Sequence, residues 1–112
     1  MSTATDDSRR HRAETLRRAM AGATAITEAA LRTAVAARAA GGPPVGDPYD
    51  DLARQIGDAS YRVTDAEVDA VREATGSDKA TFEIVMSACI GAGLARWDAA
   101  ARVIAEVTDA PA

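Results

Sequence analysis

The chain has 112 residues, a formal net charge of −4 and 47% hydrophobic residues, which excludes wholesale disorder and leaves room for one core. Its single cysteine excludes an intrachain disulfide and suits a reducing, cytoplasmic setting. Residues 1–40 hold seven arginines against four acids, a net of +3, whereas residues 41–112 carry six basic and thirteen acidic side chains, a net of −7, so the body is too acidic for general nucleic-acid binding.

Met1 to Ser8 is small and polar and reads as a disordered tail without the apolar segment of a secretory signal. Residues 9–40 are alanine-rich, free of proline and interrupted by one glycine, which predicts a long N-terminal helix. Leu16, Met20, Ala23, Thr27, Leu31, Ala34 and Val35 form its apolar stripe, and Arg9, Arg10, His11, Arg12, Arg17 and Arg18 crowd its start. Without interleaved aromatics, that cluster reads first as a solvated helix end or a face for the acidic body of a neighbouring subunit. A patch for phosphate or an anionic membrane is the functional alternative for the cluster, and docking of an acidic partner protein through this helix is a further reading.

Residues 41–47, opening on Gly41-Gly42-Pro43-Pro44, form a linker and the one hinge the sequence offers. Asp47 as N-cap and Pro48 at the first helical position restart the helix, with Asp50 and Asp51 in its first turn and Leu52, Ile56 and Ala59 facing inward. Thr64-Asp65-Ala66-Glu67 is a capping box, Val63 and Val68 are spaced as a hydrophobic staple, and Gly76 stops the short helix that follows.

Ser77 then caps the longest apolar-periodic segment, which runs to about Thr108. Phe82, Val85, Met86, Cys89, Gly93, Trp97, Ile104 and Val107 share one face, and the opposite side between Ile84 and Leu94 is also apolar or small. A helix apolar on all sides is buried on all sides, so this segment is expected to be the central helix. No apolar run approaches ~20 residues free of charge, so no membrane-spanning helix is expected. The whole reads as all-α: a small bundle with a long N-terminal helix, two short helices and a long buried C-terminal helix. Its alanine-dominated core is shallow, which favours self-association.

The chemistry-bearing residues are sparse. Cys89 lies three turns into the apolar helix and reads as a small buried hydrophobe rather than a reactive thiol. His11 stands alone, so no metal site and no Ser-His-Asp set is expected. Arg96 and Asp98 flank Trp97 where the helix turns one-sided, and Tyr61 and Arg62 lead into the capping box. With Cys89 these residues are the candidates for a ligand pocket: Tyr61, Arg62, Cys89, Arg96, Trp97 and Asp98. No catalytic residue is assigned and no cofactor is implied.

The succession Tyr61-Arg62-Val63-Thr64-Asp65-Ala66-Glu67-Val68, Gly76-Ser77, Phe82-Glu83-Ile84-Val85 and Ala88-Cys89-Ile90-Gly91, closing on Arg96, resembles the C-terminal half of the carboxymuconolactone decarboxylase/alkylhydroperoxidase-D-like superfamily over roughly residues 49–107. The resemblance implies a helical fold assembling into trimers or hexamers, with residues 48–108 as its core. Active peroxidase members carry a Cys-x-x-Cys pair and a following histidine. This chain has neither at a comparable place, so disulfide-cycling peroxidase activity is not expected. The implied function is non-redox binding of a small organic ligand or a partner by a homo-oligomer. The alternatives are an enzyme of the same fold with a pocket around Tyr61, Arg96 and Trp97, or a helical adaptor for a larger complex.

Overall fold

A computed structural model of the chain describes residues 3–22 and 25–109. All regular structure among these residues is helical: α1 (Thr3–Ala21), α2 (Ala29–Ala39), α3 (Tyr49–Ala59), a 3₁₀ turn (Ser60–Arg62), α4 (Asp65–Thr75) and α5 (Asp78–Asp109). α5 has 32 residues, a length of about 48 Å at ~1.5 Å rise per residue. That nearly matches the 55 Å long axis of the molecule. The other helices pack along it.

The expected single helix over 9–40 is two helices. α1 begins at Thr3, inside the stretch read as a tail, and ends at Ala21, so the helix is broken before α2 starts at Ala29. The break is held by tertiary contacts that local propensity does not encode. The Glu83 carboxylate of α5 accepts hydrogen bonds from the Ile26 and Thr27 amides at 3.0 and 2.9 Å and from the Thr27 hydroxyl at 2.6 Å. From α2, the guanidinium of Arg32, only 3% exposed, donates to the carbonyls of Thr27 and Gly22. A strap of backbone donors and acceptors is thereby satisfied without helix. Of the expected N-terminal stripe, the Met20 side chain and Ala23 lie outside the described residues, Leu16 is exposed and Val35 is fully buried.

The core is small: Val35 and Ala39 of α2, Leu52, Ala53 and Ile56 of α3, Val71 of α4, and Ile84, Ala88 and Ala92 of α5. With so much alanine, burial depends on close helix approach, and two glycines permit it. A Cβ on Gly91 would stand 2.1 Å from the Ala36 carbonyl oxygen, and one on Gly57 would stand 2.2 Å from that of Ala39. Both are impossible contacts, so α5 and α3 each lie with bare backbone against α2.

Local punctuation follows the sequence at several points. Thr64 and Glu67 form the reciprocal capping box, the Ala80 amide donates to Ser77 Oγ at 3.1 Å, and Gly76 ends α4 at φ 84°. The start of α3 differs. Tyr49 is its first residue and Pro48 precedes it with no side-chain cap, so Asp47 is not the N-cap. Asp50 holds this corner instead, accepting from the Val45 amide at 3.0 Å and from Arg38 Nε at 2.9 Å. Arg38 also donates to the Gly42 carbonyl at 3.1 Å. The stretch read as a hinge is therefore tied to both flanking helices.

α5 is not buried all round. Its inner face is Ala80, Thr81, Ile84, Ser87, Ala88 and Ala92, while the larger apolar residues face out. Phe82 is 64% exposed and Val107 73%, and Met86, Trp97, Val103 and Ile104 are also exposed. The helix passes a length-and-composition test for a membrane span, with a mean hydropathy of 1.2 over its most apolar window and 22% of that window buried. The longest charge-free run in it is 84–95, bounded by Glu83 and Arg96, so it stays short of the ~20 uncharged residues expected of a spanning helix.

Candidate functional site

Among the described residues, a groove of about 700 Å³ lies between α1 and α5. α1 supplies Arg9, Arg12, Ala13 and Leu16; α5 supplies Cys89, Ile90, Gly93, Leu94 and Trp97. Both sets follow three- and four-residue steps, so each presents one helical face to the other. The Gly93 position leaves open space beside it, which keeps the walls apart. Trp97 is 37% exposed and Arg9 lies over its ring, with Cζ 5.9 Å from the centroid, within cation–π range.

The groove is set in register by one bifurcated ion pair. Arg17 donates to both oxygens of Asp98 at 3.2 and 3.1 Å and to Glu14 at 2.8 Å. This is an exposed network of modest strength, but it fixes α1 on the flank of α5. Among the described residues no carboxylate pairs with Arg9 or Arg12.

The candidate residues divide accordingly. Cys89 and Trp97 meet in the groove, and Asp98 orients its α1 wall. Cys89 is exposed, which overturns its reading as a buried hydrophobe: the buried stripe is the small-residue one, a third of a turn away. Arg96 points elsewhere, donating to the Gly57 carbonyl at 2.8 Å. It satisfies one of the orphan carbonyls in the last turn of α3. Tyr61 is 82% exposed and carries Arg62 over its own ring at 5.6 Å. Tyr61, Arg62 and Arg96 do not line the groove, which holds Trp97 without them. Sequence reasoning missed the α1 wall because nothing local shows that α1 ends at Ala21 and lies against α5. Leu16 beside Arg9 and Arg12 was its only trace.

Two carboxylates are electrostatically distinctive, and both are structural. Hydrogen bonds from the Thr27 hydroxyl and the Ile26 amide hold the Glu83 carboxyl down to about 2, below its ordinary 4.5. Asp50 is likewise lowered, chiefly by the Val45 amide, against some opposing desolvation and with help from Arg38. Neither lines the groove. Asp47, Asp50 and Asp51 bring carboxylate oxygens within 4.8 Å of one another, but Asp50 already serves the α2–α3 corner, and the group does not make a built cation site.

No family model, curated protein or solved structure matches this chain. The functional reading therefore rests on the residues themselves.

Proposed function

We propose that the chain is a non-redox helical binding module that works as a homo-oligomer, assembled through the outer face of α5. The observation carrying this reading is the apolar surface of α5 outside the groove, where the large side chains Phe82, Met86, Val103, Ile104 and Val107 face solvent along a single protomer. Phe82 to Met86, and Ala100 to Ile104 to Val107, step by three or four residues, the spacing of a helix-on-helix seam. Contiguous exposed apolar surface of this kind marks an interaction site. The 12-residue core of buried apolar side chains, rich in alanine, gives self-association a stabilising role as well.

A trimeric or hexameric arrangement of the alkylhydroperoxidase-D-like kind is the assembly this reading favours, in a reducing cytoplasmic setting, with the single thiol outside any redox pair. Assembly through α5 is preferred to an adaptor role for the basic N-terminal helix, because α1 lies against α5 and spends Arg17 on Asp98. An enzymatic reading has weaker support, since the two carboxylates with shifted protonation both lie in structural networks.

Native mass spectrometry of the wild type and of an Ile104→Asp/Val107→Asp variant tests the proposal. The expected outcome is an oligomer for the wild type and a folded monomer for the variant, with unchanged helical circular dichroism. A wild type that stays monomeric at tens of micromolar, or a variant that assembles equally well, overturns it.

A further inference from the structure

We infer that the groove between α1 and α5 is a binding site for a single-chain amphiphile with a carboxylate at one end, of the fatty-acid class. The inference goes beyond self-association and does not depend on it, because every lining residue comes from one protomer and none belongs to the 103–107 segment that tests assembly.

The volume comes first. At about 700 Å³ the groove lies within the ~300–1,000 Å³ usual for small-molecule sites. The lining comes next. Ala13, Leu16, Ile90, Gly93, Leu94 and Trp97 offer an apolar trough, and the charged side chains on its wall are Arg9 and Arg12. These two arginines are three residues apart on α1 and so share a face. No acidic residue lines the groove, and among the described residues neither arginine has a carboxylate partner. In a chain of net charge −4, two arginines beside an apolar trough with no carboxylate partner among the described residues are a local exception. Guanidinium donors match a carboxylate in planar, two-point geometry.

The polarity of the occupant follows. A neutral hydrocarbon would leave Arg9 and Arg12 unmatched, and a small anion without a tail would leave the apolar trough uncovered. A ligand carrying both features satisfies both, its headgroup at the arginines and its tail along Leu16, Ile90 and Leu94. Trp97, already under Arg9, supplies a flat apolar surface at the head end.

The chain carries its own reporters: Trp97 is its one tryptophan and Cys89 its one cysteine, and both line the groove. Dodecanoate, below its micellar concentration, is the probe, and dodecanol carries the same tail without the charge. The expected result is a saturable change in Trp97 fluorescence with dodecanoate, and at least a five-fold slowing of Cys89 reaction with a thiol reagent. Binding should be at least ten-fold tighter than for dodecanol. Arg9→Gln/Arg12→Gln should remove that preference while dodecanol binding and the melting temperature stay unchanged. Equal affinity for the two probes in the wild type overturns the carboxylate assignment. Unchanged Cys89 reactivity at saturating dodecanoate overturns the location. Ligand-free protection of Cys89 that disappears on dilution would mean a second copy fills the groove, and that too overturns the inference, whatever the Ile104→Asp/Val107→Asp variant shows.

Discussion

The two halves of α5 share one helix and one apolar periodicity, yet they do opposite things. In the first half Ala80, Ile84, Ala88 and Ala92 are buried, and Gly91 lets the backbone of α2 come within contact of α5. In the second half Trp97, Val103, Ile104 and Val107 stand in solvent although they are larger and more apolar. Burial along this helix is decided by how closely another helix can approach, and small residues set that distance. Large apolar residues go where no close crossing is possible, and there they become surface for something else.

Gly91→Ala is the sharpest way to break this contrast. Alanine normally gains about 1 kcal/mol over glycine inside a helix. At 91 its methyl would collide with the Ala36 carbonyl, so a net loss of about 3 kcal/mol is expected from overpacking, measured by urea denaturation. A neutral or stabilising result would mean that the α2–α5 crossing is looser than described.

The second test concerns the strap that the buried half of α5 organises. Glu83 has its protonation lowered from 4.5 to about 2 on folding, so its contribution is fully present above the higher value and is lost as pH falls from about 4.5 toward 2. Wild-type stability should therefore drop more steeply across that window than that of Glu83→Gln, which has no carboxylate to protonate. Parallel pH profiles in chemical denaturation would show that the Thr27 and Ile26 contacts are not maintained in solution.

Gly93→Ala is the counterpart of Gly91→Ala, two residues on. Nothing lies within 4 Å of a Cβ at 93, so the helix-propensity gain should appear undiminished, at ~0.5–1 kcal/mol of added stability. Opposite signs at positions two residues apart would localise the boundary between the two halves. The smallest effect is expected at the far end. Val107→Ser should change monomer stability by no more than ~0.5 kcal/mol in dilute solution, because that side chain is 73% exposed.

Much of the fold was legible in the residues. Gly76 and Ser77 separate α4 from α5, Thr64 and Glu67 cap α4, and Leu52 and Ile56 are core positions, as their spacing indicated. These features depend on neighbours within one helical turn. The Asp47 cap was misread because Asp50, three residues on, has a better set of donors in Val45 and Arg38. Glu83 carried a signal that could have been used, since a carboxylate in the all-round apolar part of a helix needs partners.

The sequence by itself determined that this protein is helical, where most of its helices start and stop, and that its apolar residues outnumber the places available in a small core. Only the tertiary structure decided which of the two apolar faces of α5 turns inward, that α1 ends at Ala21 rather than running on into α2, and that Arg9, Arg12, Cys89 and Trp97 line one groove. The reason is physical. Caps and periodicity are satisfied by near neighbours, whereas the choice between faces depends on backbone-to-backbone distance at the Gly91–Ala36 and Gly57–Ala39 contacts, which exist only once distant helices have met.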